Sequence, residues 1–212
     1  MSPSFDGLHV LIDPVRVPPS RLVSFMGSIQ RGGASVVQIR IKGDVSTRET
    51  LKYIEGAAEE AHGRGLVVVI NDRVDWAAAV GADGVHLGQT DMPSRVARHV
   101  APSMSIGLSC GNREELRSSL GDHPAYLGIG PVFSTPSKSD AGDALGVSGL
   151  RDLCREIPQE VPVVAIGGIR PHNAKEVWDA GVAGIAVIGA VADSADPEAA
   201  CRSLVAARMG GR

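Results

Sequence analysis

The chain of 212 residues is 43% hydrophobic and 21% charged, enough apolar material to bury a core of its own. A net charge of -3 without any run of Lys or Arg argues against nucleic acid or an anionic membrane as partner. The opening MSPSFDGLHV lacks the basic head and apolar stretch of a secretory signal, and no segment is long and apolar enough to span a bilayer. Three cysteines, Cys110, Cys154 and Cys201, fall at spacings that suit neither disulfides nor a metal cage, as expected in a reducing cytoplasm.

Short apolar runs alternate with helix-like stretches along the whole chain. LHVLI (8–12) comes first and ends at Asp13-Pro14, good turn chemistry. SVVQIRI (35–41) follows, then the amphipathic TRETLKYIEGAAEEAHGRG, then LVVVI (66–70) running into Asn71 and Asp72. GVHL (84–87), MSIGL (104–108), AYLGIG (125–130), VPVVAI (161–166) and GIAVI (184–188) complete eight predicted strands. HNAKEVWDAGVA separates the last two, and DPEAACRSLVAARM reads as a final helix with Asp196 as N-cap and Pro197 in its first turn. Continuous β-branched runs separated by helices predict a parallel sheet covered on both faces. Eight such units predict an α/β fold, a (β/α)8 TIM barrel, forming a single domain over 1–212. An open doubly wound sheet is the alternative, with its ligand at one reversal of strand order.

The residues that follow the strands favour the barrel, whose strand ends all face one mouth. Gln38, Arg40 and Lys42 alternate through the end of the second run, so period two puts all three on one face. Cations there are costly without an anion, unless the strand is an exposed edge. Asn71 and Asp72 end the third run, and Asp91 lies just beyond the fourth. His86, alone within a strand, reads as a packed and hydrogen-bonded core residue. The fifth run leads into Ser109-Cys110-Gly111-Asn112, and the sixth enters GPVFSTPSKSDAGDALG, a long loop carrying Lys138. Gly167, Gly168 and Gly189 end the last two strands, where barrels often bind phosphate through backbone N–H groups. Arg40, Lys42 and Lys138 call for a multiply charged anion. Two carboxylates beside that anion, Asp72 and Asp91, call for a cation between them, and Mg2+ commonly takes one or two carboxylates plus phosphate oxygens. Cys110 has no activating base and reads as structural.

VVVINDRVDWAAAVGADGVHLGQTDMP, GIGPVFSTPSKSDAG and VPVVAIGGIRPHN, in this order and spacing, resemble the thiamine phosphate synthase family over nearly the whole chain. The resemblance implies a transferase that condenses a hydroxymethylpyrimidine diphosphate with a hydroxyethylthiazole phosphate, releasing diphosphate. By matching motif positions it implies that Gln38, Ile39, Arg40, Ile41, Lys42 and Asn71 hold the pyrimidine diphosphate. Ser109 and Lys138 would also contact the diphosphate, and Asp72 and Asp91 would bind Mg2+. Thr135, Pro136 and Ser137, with backbone at Gly168, Ile188 and Gly189, would hold the thiazole phosphate. Arg40, Lys42 and Lys138 would carry the catalytic charge stabilisation. The implied partners are these small molecules, with room left for a homo-oligomer.

Three positions depart from the family pattern. Ile41 stands where an acid is common, and period two turns it away from Arg40 and Lys42. Ser137 replaces a Thr, and Gly189 replaces a Ser, so a hydroxyl contact would be lost. A related thiazole tautomerase is a weaker match, because Cys110 and Gly111 occupy the place of its acid/base His. A phosphate-ligand sensor without catalysis would leave Lys138 and both aspartates without a task.

Overall fold

Alternate side chains sort each strand into a face toward the barrel axis and a face toward the helices. A computed structural model, describing residues 3–42, 46–135 and 143–209, shows this sorting along the chain. The elements are β1 (Gly7–Ile12), α1 (Pro19–Arg31), β2 (Ala34–Ile39), α2 (Thr47–His62), β3 (Val67–Asn71), α3 (Val74–Ala79), β4 (Gly84–Leu87), α4 (Ser94–Val100) and β5 (Ser105–Cys110). They continue with α5 (Arg113–Gly121), β6 (Tyr126–Ile129), α6 (Gly146–Cys154), β7 (Val163–Ile166), α7 (Ala174–Trp178), β8 (Gly184–Val187), α8 (Gly189–Ala192) and α9 (Pro197–Met209). The strands pair in parallel in chain order, and β8 returns to β1, closing the barrel. An open sheet is thereby ruled out, and the (β/α)8 expectation holds.

Outward residues such as Val10 and Ile12 of β1, Val37 and Ile39 of β2, and Val68 and Ile70 of β3 join one large core with the helices. Helix α1 shows why it docks there. Leu22, Phe25, Met26 and Ile29 recur at helical spacing and are all buried, giving one apolar stripe. Burying each such side chain contributes about 1.5–3 kcal/mol. Inside the barrel a second cluster gathers Phe5, Leu11, Val36, Val69, Tyr126, Val164 and Ala186. The final helix starts as expected, with Asp196 Oδ1 accepting from Ala199 N at 2.9 Å.

Strand boundaries moved at the mouth. The second strand stops at Ile39, with Arg40 N still donating to Ile12 O at 2.9 Å. Asn71, Ser109 and Cys110 belong to strands rather than to loops, paired with His86, Gly128 and Ile129. Their polarity resembles loop chemistry because Asn71 and Ser109 face the mouth of the barrel interior, where Ser109 Oγ lies 2.8 Å from His86 Nε2.

Candidate functional site

Room for the site begins with small residues inside the barrel. A side chain on Gly107 would place its Cβ 2.2 Å from the Tyr126 ring, and one on Gly128 would lie 2.8 Å from His86 Cε1. These glycines let two rings lie across the barrel axis. Tyr126 stacks on Phe5 at 4.8 Å and on His86 at 5.4 Å. The Tyr126 hydroxyl lies 3.0 Å from His86 Nδ1, and His86 Nε2 lies 2.8 Å from Ser109 Oγ. Gln38 hydrogen-bonds the same tyrosine, and complete burial keeps Tyr126 a neutral phenol by raising its pKa. His86 is therefore hydrogen-bonded as expected, but it is half-buried and lines the mouth cavity rather than the apolar core. Beneath it, His9 is fully buried with Nε2 2.7 Å from Phe5 O, and burial lowers its pKa to about 4.

Above this floor opens a cavity of about 870 Å³, within the size range of small-molecule sites. The β3–α3 turn projects Asp72 into it from a left-handed backbone, φ 66°. Its N–H donates to His86 O at 2.8 Å, fixing the turn against β4. Asp72 Oδ2 accepts from Lys42 Nζ at 2.6 Å, and this partly exposed pair contributes little to stability. Asp91 accepts from Gly88 N at 2.6 Å. Burial raises the Asp91 carboxyl above its ordinary range; Gly88 opposes this, the neighbouring Asp72 adds to it, and Lys42 again lowers it. The two carboxylates are thus neighbours in the cavity, with Lys42 beside them. Arg73, next in sequence, turns away: its guanidinium lies 3.9 Å from the Trp76 ring centre and pairs with Asp75.

On the opposite side, Gly167 and Gly168 have φ of 104° and 64°. A Cβ on Gly168 would meet Phe133 Cβ at 2.7 Å and Ser134 O at 2.8 Å, so glycine is required for the β6–α6 loop to approach. Gly189 opens α8 at the same end. Asn112 caps α5, accepting from Glu115 N at 3.0 Å while Glu115 reaches back to Gly111 N at 2.7 Å. That reciprocal capping stabilises the rim by about 1 kcal/mol.

Gln38, Arg40, Lys42, Asn71, Asp72, Asp91, Ser109, Thr135, Gly168, Ile188 and Gly189 all line this one cavity. Ile39 does not: its side chain is buried in the outer core, and Ile41 packs against that core too. Pro136, Ser137 and Lys138 lie outside the described residues. Cys110 is buried, and desolvation pushes its thiol up to about 11, in keeping with a structural role. Sequence reasoning missed Tyr126, His9, Arg16, Gln89 and Asp193, all cavity-lining. Period two along AYLGIG and LHVLI would have turned Tyr126 and His9 inward. Arg16 and Asp193 are brought in by loop geometry that no spacing encodes.

The sequence profile described as "Thiamine monophosphate synthase" matches residues 8–191. A thiamine-phosphate synthase of Archaeoglobus fulgidus is 46% identical over 175 residues, 82% of this chain and 81% of the relative. Another from Roseiflexus castenholzii is 38% identical over 204 residues, covering 95% and 88%. Among solved structures, a thiamine phosphate pyrophosphorylase from Pyrococcus furiosus superposes with a TM-score of 0.84 at 37% identity, covering 96% of this chain and 95% of that one.

Proposed function

Since the chain belongs to the thiamine monophosphate synthase family, we propose that it works as the transferase its relatives are named for. It joins a hydroxymethylpyrimidine diphosphate to a hydroxyethylthiazole phosphate, giving thiamine phosphate and diphosphate. The observation that carries this reading is the facing pair Asp72 and Asp91 beside Lys42 and Arg40 in one cavity. Two neighbouring carboxylates in one cavity suit a hard cation, and no third His, Cys, Asp or Glu gathers with them among the described residues. That donor set fits Mg2+, which keeps waters and takes phosphate oxygens in its remaining positions. When bound, the ion would neutralise charge on the leaving diphosphate.

The chain's own residues do the rest. Arg40 and Lys42 hold the diphosphate and meet the charge that grows on its oxygen as the methylene C–O bond breaks, a preorganised stabilisation. Lys42 exchanges its Asp72 partner for phosphate oxygens. Ser109, held by His86, fixes the diphosphate side, and Lys138 joins from the long loop. The electron pair of the C–O bond leaves with the diphosphate, and the thiazole nitrogen lone pair forms the new C–N bond. No proton has to move, so no nucleophile or strong base is required. Backbone at Gly168, Ile188 and Gly189, with Thr135, Pro136 and Ser137, holds the thiazole phosphate against the departing group. The work is cytoplasmic, where Cys110, Cys154 and Cys201 stay free; no described helix is long and apolar enough to cross a membrane.

A tautomerase reading lacks its acid/base group, since Cys110 is a buried thiol. The test is direct. Purified protein given both substrates and Mg2+ should release one diphosphate for each thiamine phosphate formed, and chelation should stop both. Binding of either substrate without product would make the chain a sensor instead.

A further inference from the structure

Arg16 lines the same cavity without a part in the chemistry described so far. It reaches the cavity from the β1–α1 loop, where Asp13 Oδ1 accepts from the N–H groups of Val15 and Arg16 at 2.9 and 2.8 Å. That turn aims the guanidinium across to α8. Arg16 Nη1 donates to Asp13 Oδ2 at 2.7 Å, and Nε lies 3.2 Å from Asp193 Oδ1. The second contact is at ion-pair distance without hydrogen-bond geometry, and the buried Nε has no hydrogen-bond partner among the described residues.

The far oxygen of the same Asp193 carboxylate locates the neighbour. Asp193 Oδ2 sits 2.7 Å from where a Cβ on Gly189 would be. One carboxylate therefore spans from Gly189 to Arg16 in the cavity wall. An anion that displaced this carboxylate would lie beside Gly189 and within reach of the guanidinium. Gly189 has no side chain to offer, and backbone N–H groups supply no net charge. Arg16 supplies it, in a planar fork that matches phosphate oxygens.

We propose that Arg16 is a phosphate-binding residue for the second substrate, with Asp193 as its exchangeable counter-ion until the phosphate enters. The proposal rests on the reaction given above and adds a residue to its thiazole-phosphate subsite. Asp193 is suited to leave because its side chain is 56% exposed, so swinging into water costs little. Asp13 stays, since it also holds the turn. Arg170 lines the same cavity from the β7–α7 loop, but its backbone N–H is what the fold uses, donating to Asn173 Oδ1 at 2.7 Å.

The test is calorimetric binding of hydroxyethylthiazole phosphate, with the phosphate-free thiazole alcohol as control, to wild type, Arg16→Gln, Arg16→Lys and Asp193→Asn. Arg16→Gln should weaken phosphate binding about 10- to 100-fold and leave alcohol binding unchanged, with Arg16→Lys in between. Asp193→Asn should bind the phosphate as tightly as wild type or tighter, because it frees the guanidinium. A merely structural Arg16 predicts the opposite, since Asp193→Asn would break the same loop-to-helix tie and weaken binding like Arg16→Gln. That result, or unchanged binding in Arg16→Gln, overturns the proposal. Product formation by wild type is scored separately. A wild type that binds the phosphate through Arg16 without forming product refutes the reaction and leaves the phosphate site standing.

Discussion

Asp72 carries two burdens that a substitution can separate. Its φ of 66° lies where a Cβ crowds the following carbonyl, costing about 1–2 kcal/mol for most residues, with Asp and Asn more tolerant. Its ion pair with Lys42, with side chains 54% and 22% exposed, contributes about 0.2–1 kcal/mol. Asp72→Gly removes the pair and the crowding together, so stability should stay within about 1 kcal/mol of wild type. Asp72→Ala removes the pair and keeps the crowding, for a loss of about 1–2 kcal/mol. For a chain of this size that is a fall in Tm of about 2–8 °C. Activity should not follow this order. Without the carboxylate, Gly, Ala and Asn variants should all lose about 100-fold or more of kcat/KM at moderate Mg2+. Thermal melts beside diphosphate release at several Mg2+ concentrations give both readings. An Asp72→Gly protein that keeps the wild-type rate, or an Asp72→Ala protein that melts no lower than it, would refute the reasoning.

Other changes test the interior and the loop. His9, held neutral by burial with a pKa of about 4, is protonated more readily when unfolded. Its contribution is therefore complete above the ordinary value of 6.5 and is lost as pH falls toward 4. The displacement corresponds to about 3 kcal/mol, and urea unfolding at pH 7 and pH 4.5 should show a much smaller difference in His9→Gln than in wild type. Gly107→Ala drives a methyl into the Tyr126 ring, which lies 2.2 Å from the new Cβ position. It should cost about 1–3 kcal/mol by overpacking, read as a lower Tm, and should raise KM by disturbing His86 and Ser109. Lys138→Ala should lower kcat/KM by about 10- to 1000-fold with an unchanged Tm.

The fold was legible because strand and helix periods alternate without interruption, and because polar residues recur where strands end. VVVIND shows both. Its β-branched run became β3, and its carboxylate became part of the mouth. Boundaries were less legible where a polar residue faces the cavity, as at Asn71 and Ser109; the contact of Ser109 Oγ with His86 Nε2 at 2.8 Å has no sequence signature. Gly107 and Gly128 lie inside the predicted strands MSIGL and AYLGIG, and only the packed rings of Tyr126 and His86 explain why they are glycines. Arg16 and Asp193 sit 177 residues apart in chain number and meet because β8 closes on β1, a neighbour relation that no local pattern contains. The outward facing of Ile39, by contrast, follows directly from the alternation of β2.

Whether Asp72 and Asp91 hold one metal ion can be measured most directly from rate against Mg2+ concentration in wild type, Asp72→Asn, Asp91→Asn and the double variant. If the pair acts as a unit, each single change removes most of the metal-dependent rate, the double is scarcely worse than the poorer single, and high Mg2+ partly restores the singles. If the losses multiply and the Mg2+ dependence of every variant matches wild type, the two carboxylates do not share an ion.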